Sequence, residues 1–547
     1  MSFFRLVRRE MQGSLNRLIV MSGLGGASNA TILAAINSGA QAAGNGEVGI
    51  WSAALFVIAL LLFIKTQHYI LIAATVEIEA IIHKVRVRLM DQVRHSELLP
   101  LDEIGRAEIV AAITKETGTL TQATNMLAFA GQGVVLVFFV AIYIAYLSLL
   151  AFGLSVAILC VAGVIFHIKG RQVARGTREA GAWDNRLYDR LIDLLDGFKE
   201  VRLNRARSDH LFDDVVEVSR TAANIKIRTQ SESYKQLVFS QSTMYLLLAA
   251  VVFVVPIFTG AKGSSVLQVT TALMFVVGVC MGIVQTIPIL QAANAAADNI
   301  ERLELKLTAI AAAPPTSTAV TSKRFDQIEM RSVLFSYVHT SSEAVFQVGP
   351  IDFTLRSGDL VFITGGNGSG KSTFLRLLAG LYQPDSGEIL LDGVRVDESN
   401  RDVYRSLIAA IFVDYHLFRR LYGIPDPDAA EVDRLLTQFR LAEKTRLADG
   451  EFTTLDLSGG QRTRLALIVS LLEKRPILLL DELTADQDPD FRRRFYDELL
   501  PALQRLGLTV VAITHDDRYL DEFQLPARRL RMDEGRFVGQ QSVEQGR

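Results

Sequence analysis

The chain has 547 residues, too many for one ordinary domain, and half of them are hydrophobic. A net charge of −2 gives no overall pull towards a polyanion, so a general nucleic-acid binder is excluded at this level. The two cysteines, Cys160 and Cys280, both fall inside apolar runs, where they read as small buried hydrophobes and exclude a disulfide framework.

Hydrophobicity is unevenly spread. Long apolar runs dominate as far as about Gln291, whereas from about Phe325 onward the pattern is that of a soluble α/β protein. Six runs approach the ~20 residues that a bilayer requires: Leu15–Ala40, Trp51–Ala74, Thr121–Tyr146, Leu149–Ile168, Ser240–Thr259 and Val266–Leu290. The first is the least apolar, and Arg5, Arg8 and Arg9 precede it as they would a signal peptide. Its length, with no clear cleavage site after a short apolar core, favours a retained helix.

Cations follow the second span (Lys84, Arg86, Arg88, Arg94) and the fourth (Lys169, Arg171, Arg175, Arg178), and the N-terminal tail is basic. The opposite connections carry only Glu47 and Lys262. The positive-inside rule therefore places both termini in the cytoplasm. The two cytoplasmic connections, 76–120 and 169–235, keep a helical period beyond any bilayer. The run from Arg186 to Leu195 alternates apolar and charged residues at i, i+3/i+4 spacing, which by itself describes a solvated amphipathic helix.

Within the spans, Gln132, Gln241, Ser242, Thr243 and Gln285 are read either as lining a cavity or as ordinary interhelical hydrogen bonding. Pro256 and Pro288 are expected to bend their helices. A stretch rich in Ala, Pro, Ser and Thr then marks a linker at 307–324, between a membrane domain at 1–306 and a second domain at 325–547.

The second domain carries Gly365-Gly366-Asn367-Gly368-Ser369-Gly370-Lys371-Ser372, followed by Thr373. An apolar run, Leu360 to Ile363, precedes this loop and a helix-like run, Phe374 to Leu378, follows it. That strand–loop–helix context makes the phosphate-loop motif credible. Glycines let backbone N–H groups converge on phosphate oxygens, Lys371 reaches the β- and γ-phosphates, and the Ser372 hydroxyl suits Mg²⁺. Further on, Ile477-Leu478-Leu479-Leu480-Asp481-Glu482 reads as a buried parallel strand ending in two acids. Asp481 would hold Mg²⁺ through water and Glu482 would polarise an attacking water. Between these motifs, Leu457-Ser458-Gly459-Gly460-Gln461 opens a helix and offers a second anion-binding N-terminus.

With these three motifs the sequence resembles an ABC transporter ATPase. The six spans, linker and nucleotide-binding domain are similar to the layout of an ABC exporter half-transporter. The fold class this implies is a six-span α-helical membrane domain followed by an α/β P-loop ATPase domain. The resemblance also implies that Tyr337 stacks on adenine, that His515 contacts the γ-phosphate, and that Asp488 lies at a dimer seam. It makes Glu482, His515 and Lys371 the catalytic set. The signature Ser458 completes the partner chain's ATP site, so one ATPase domain per chain implies a dimer, most simply a C₂ homodimer.

At one point the sequence departs from the family pattern. Ile411-Phe412-Val413-Asp414-Tyr415-His416-Leu417-Phe418 places Val413 where a glutamine is expected to touch Mg²⁺ and relay cargo occupancy. Valine cannot do either, and Asp414 or a water is the substitute to test. This stretch, with Ala485 to Pro489 and His515 to Tyr519, resembles the bacterial cyclic-peptide exporter group, whose members export cyclic lipopeptides, lasso-type microcins and peptide-siderophore precursors. The run Asp193 to Asn204 is similar to that group's second cytoplasmic connection and becomes a candidate coupling helix. The resemblance implies ATP and Mg²⁺ as cofactors, a homodimer in inner-membrane lipid, and a peptide-like cargo; a periplasmic adaptor is left open. A lipid flippase or multidrug exporter of the same layout, and a membrane ATPase that senses without transporting, are the rival readings. No nucleic-acid partner is expected, because six spans exclude the soluble DNA-repair ATPases.

Overall fold

The structure, a computed structural model, describes every residue except 1, 12–14, 45, 47–48, 260–262, 311–323, 338–345, 425–426, 523–525 and 543–547. Glu47, Lys262 and most of the expected linker lie outside the described residues. The chain divides into two compact units: Met1–Gln92 with Ile104–Ala309, and Val93–Glu103 with Ile310–Arg547.

The first unit is helical. A short amphipathic helix, α1 (Ser2–Glu10), precedes α2 (Leu15–Gly44) and α3 (Ile50–Arg94). After α4 (Leu98–Ile104), whose residues as far as Glu103 belong to the second unit, come α5 (Arg106–Ala111), α6 (Thr117–Leu147) and α7 (Leu149–Asp196). Then come α8 (Phe198–Leu203), α9 (Arg205–Ala249), α10 (Val255–Thr259) and α11 (Gly263–Ile310). Among the described residues, six helices are long and apolar enough to cross a membrane. They match the six expected runs, and several continue well beyond bilayer length, as the helical period of the connections required.

The low hydropathy of the first span has a packing cause. A Cβ at Gly26 would lie 2.5 Å from Val135 Cγ1, so only glycine lets α2 close on α6. Two of the five polar span residues find partners on their own helix: Thr243 donates to the Phe239 carbonyl (2.9 Å) and Gln241 to Tyr245 Oη (3.3 Å). Gln132 Nε2, by contrast, is buried with no partner. Pro256 removes an N–H from its helix, and the turn just before it, Ala250–Val254, widens to a π-helical turn. At Pro288 the helix α11 continues without a break. It also runs through 307–310, four residues into the segment expected to be linker.

The second unit contains a four-stranded antiparallel sheet built from β1 (Gln327–Ser336), β2 (Gln347–Arg356), β4 (Ser386–Leu391) and β5 (Val394–Arg395). A six-stranded sheet has the order β12-β11-β3-β10-β9-β6. Its strands are β3 (Leu360–Thr364), β6 (Ile408–Ile411), β9 (Ile477–Asp481), β10 (Thr509–Ile513), β11 (Arg528–Asp533) and β12 (Arg536–Ser542). All neighbours in this sheet are parallel except the edge strand β12. A two-stranded hairpin joins β7 (Leu447–Ala448) to β8 (Glu451–Phe452). The helices of this unit are α12 (Lys371–Leu378), α13 (Arg401–Ser406), α14 (Ala429–Gln438), α15 (Gly459–Leu472), α16 (Pro489–Arg494), α17 (Leu500–Arg505) and α18 (Asp517–Glu522).

The central strands read as unbroken apolar runs because both faces of the sheet are covered. Leu360, Phe362, Leu478, Leu480, Val510 and Ala512 enter one core with Leu465 and Ile468 of α15. Their alternates Val361, Ile363, Ile477, Leu479, Val511 and Ile513 enter a second core with Phe374 and Leu377 of α12. The sheet thus carries its two anion-type loops at the starts of helices on opposite faces.

Candidate nucleotide site

The loop between β3 and α12 is fixed by backbone close approaches. Gly365 has φ +147, and a Cβ there would stand 2.1 Å from the Met532 carbonyl. Gly370, at φ +98, turns the chain into α12. Lys371 is buried, and its Nζ donates to the carbonyls of Gly365 (3.0 Å) and Gly366 (2.8 Å). Burial lowers its pKa from the usual lysine value, while Glu482 and Asp481 oppose that fall. Ser369 Oγ is buried and has no protein partner, a donor left for an anion. A cavity of about 370 Å³ beside the loop is lined by Gly366, Asn367, Gly368, Ser369, Phe346 and Arg536.

The strand ends bring the acids to this loop. Ser372 Oγ donates to Asp481 Oδ1 at 3.2 Å. Burial pushes the Asp481 carboxyl above its usual range, with the Ser372 hydrogen bond opposing. These oxygen donors suit a hard divalent cation such as Mg²⁺, which supplies charge neutralisation to phosphate oxygens when bound. No cluster of three or more His, Cys, Asp or Glu able to hold a metal occurs among the described residues, so nucleotide and water oxygens must complete any coordination. Glu482 adopts φ +53, a strained region for a non-glycine residue, and its N–H is held by the Ile513 carbonyl at 3.1 Å. Its Oε1 lies 3.0 Å from His515 Nε2. Lys371, Ser372, Asp481, Glu482 and His515 are therefore brought together by the ends of three strands of one sheet, β3, β9 and β10.

Behind them lies a buried network that the sequence did not single out. Tyr496 Oη meets Thr514 Oγ1 at 2.7 Å and donates to Asp516 Oδ2 at 3.2 Å, while Thr484 Oγ1 donates to the same oxygen at 2.6 Å. It ties the segment carrying His515 to the turn after Glu482. Tyr337 Oη pairs with Thr373 Oγ1 at 3.2 Å and its ring stacks on Phe346, so the expected adenine partner is tied to the phosphate loop.

The signature residues form a second cluster. Ser458 caps α15 reciprocally: Gln461 N–H donates to Ser458 Oγ and Ser458 N–H to Gln461 Oε1. A Cβ at Gly460 would meet the Asp486 carbonyl at 2.8 Å, and Gln487 Nε2 donates to the Gly460 carbonyl at 2.9 Å. Arg464 donates to Gln487 Oε1 (2.9 Å) and pairs with Asp488. Asp488 also caps α16 by accepting from Phe491 N–H. That bond first, and Arg464 second, hold its carboxyl below the usual range. Arg464, three residues beyond the signature, was legible only as part of the helix that the signature opens. If Arg464 clamps these two loops, Arg464→Ala should slow ATP hydrolysis about tenfold while leaving ATP affinity unchanged. An unaltered rate in a phosphate-release assay would remove the clamp from the mechanism.

Val413 is exposed, and Asp414 is paired with Arg376 at 3.4 Å. Tyr415 Oη reaches Thr463 Oγ1 of α15 at 3.1 Å, so this loop is tied to the signature helix by a residue the sequence had not marked. Within the same unit, Glu97 accepts from Arg401 (3.1 Å) and Arg405 (2.8 Å), and Leu98 and Leu99 pack on its second core. The candidate coupling helix of the second connection is α8, which begins after Gly197 and stops at Asn204. Its Phe198 and Leu203 are exposed.

Membrane-length helices joined to a phosphate-loop domain define a membrane-bound, nucleotide-using class of protein. Comparison with known proteins makes this specific. The ABC transporter family profile matches residues 348–485. The ATP-binding protein SyrD of Pseudomonas syringae pv. syringae is 32% identical over 481 residues, 84% of this chain and 82% of that one. The mycobactin import ATP-binding/permease protein IrtB of Mycolicibacterium thermoresistibile is 36% identical over 210 residues, 35% of each chain. A solved structure, that of a bacterial Atm1-family ABC exporter with ATP bound, superposes with a TM-score of 0.77 at 19% identity, covering 98% of this chain and 95% of that one. This chain belongs to the ABC transporter family. It is a multi-pass membrane protein with the fold of an exporter half-transporter, and its ATPase domain binds nucleotide and hydrolyses ATP to drive transport.

Proposed function

We propose that two copies of this chain form an ATP-driven exporter in the bacterial inner membrane that moves a cyclic peptide or peptide-siderophore-like cargo out of the cytoplasm by alternating access. Residues 1–306 serve as the membrane domain and 325–547 as the nucleotide-binding domain, both termini being cytoplasmic by the distribution of cations. The carrying observation is that one chain assembles Lys371, Ser372, Asp481, Glu482 and His515 but gathers its signature residues into another cluster. A complete site then needs the Leu457–Gln461 segment of a second copy, which a C₂ pair supplies twice. The cargo class is supported by the run Ile411 to Phe418 and the stretches Ala485–Pro489 and His515–Tyr519.

In this reading Lys371 and the loop N–H groups hold the β- and γ-phosphates. Ser372, and Asp481 through water, would hold Mg²⁺, and Asp414, paired with Arg376, would be a weaker third ligand. Glu482 orients the attacking water and accepts its proton, and His515 fixes the Glu482 carboxylate and contacts the γ-phosphate. Tyr337 stacks on the base. Catalysis is positioning plus electrostatics. ATPase activity in lipid nanodiscs across a panel of cyclic peptides and peptide siderophores tests the cargo: stimulation by a subset is expected. Stimulation by lipids or hydrophobic amines alone would favour a flippase or multidrug exporter, and indifference to all of them a sensor.

A further inference from the structure

The second span contains a charge, Lys65, for which no ion-pair partner occurs among the described residues. Lys65 lies in the apolar half of α3, and His68, one turn on, shares its face. With Trp51 marking one interface, Lys65 sits about 21 Å along the helix, inside a hydrocarbon core of about 30 Å. Ala59, Thr66, Ile70 and Ala74 turn into the chain's own bundle and are buried, whereas Leu61, Lys65, His68, Tyr69 and Ile72 are exposed on the other side. A lysine turned to lipid at this depth is costly, so such a face belongs against a water-filled cavity.

A second copy offers no counter-charge there. The apolar stretches 18–44, 117–147, 149–166, 236–259 and 266–297 contain no Asp or Glu, and Glu77 and Glu79 lie about 18 Å or more further along α3. The buried side of this helix carries its own polar groups. Gln67 Oε1 and Gln132 Nε2 are buried without partners, and a Cβ at Gly25 would stand 3.1 Å from Gln132 Nε2 and 3.2 Å from Thr66 Oγ1. Thr66 of α3 and Gln132 of α6 thus meet against Gly25 of α2, on the face of α3 turned away from Lys65, so they offer the ammonium no partner.

We infer that Lys65, with His68 beside it, is a cargo-specificity site that takes an anionic group, such as a carboxylate, borne by the transported molecule. The inference rests on the export reading and narrows its cargo to acidic molecules. It is tested in nanodiscs by stimulation of ATPase activity, using a cyclic peptide with free carboxylates, the same ring amidated, and the pair lauroyl glycine and lauroyl glycinamide. The wild type should respond to the carboxylate forms at concentrations about tenfold or more below the amides. Lys65→Gln should erase that preference with basal activity unchanged, and Lys65→Arg should retain it. Preference seen only with the lauroyl pair would sink the peptide reading and keep the anion site. A preference that survives Lys65→Gln, or a wild type that responds to no carboxylate in either scaffold, would overturn the site. So would an effect of Lys65→Gln that follows the phosphatidylglycerol content of the disc and not the added compound, because Lys65 would then serve lipid headgroups.

Discussion

Replacing Glu482 with Gln is expected to stop ATP turnover while leaving ATP binding intact. Glutamine has nearly the same shape and can still meet His515 Nε2, now 3.0 Å from Glu482 Oε1. It cannot accept the proton of an attacking water. Loss of a positioned general base costs about 10²–10⁴-fold, so phosphate release should fall at least about 100-fold. Binding should change less than about twofold, because in the proposed site the ground-state contacts to the nucleotide are those of Lys371 and the loop. The positive φ of Glu482 sharpens the test, since both variants share the same backbone strain at this position. Turnover within about tenfold of wild type would remove Glu482 from the role.

Lys371→Ala should act on the other side of that division, by weakening nucleotide binding. The wild-type ammonium is buried at the loop and fixed by the Gly365 and Gly366 carbonyls. Removing it deletes a charge-assisted contact to phosphate and releases two loop carbonyls. At about 1.5–3 kcal/mol for such a bond, affinity should drop by about 10- to 100-fold. Lys371→Arg should not rescue it, because a planar five-donor fork does not fit the place of a compact ammonium. Titration with a fluorescent ATP analogue, beside a thermal melt to confirm the fold, checks both. Wild-type affinity in the alanine variant would contradict the assignment.

What the sequence made legible was chemistry fixed by local spacing. The phosphate loop, the acids after Leu480 and the helix start at Ser458 each need neighbours only a few residues away, so each could be read and placed. The six spans were equally clear, because hydropathy over a bilayer length is a local average. The weak first span was the exception, and Gly26 explains it: the lack of a side chain there serves close approach to Val135 and not hydropathy. Partnerships across hundreds of residues were not legible. Glu97 looks like any exposed acid until it meets Arg401 and Arg405, and Tyr496 like any core aromatic until it joins Thr514 and Asp516. Lys65 stood in plain view, but an unpaired charge becomes informative only when the structure shows which face carries it.

The central claim, that this ATPase is coupled to outward movement of a peptide-like solute, is tested most directly in sealed proteoliposomes with the ATPase domain facing out. The account predicts that ATP drives accumulation of a labelled acidic cyclic peptide in the lumen with the wild type and not with Glu482→Gln. Sustained ATP hydrolysis by the wild type with no accumulation of that peptide or of any other in the panel would contradict it.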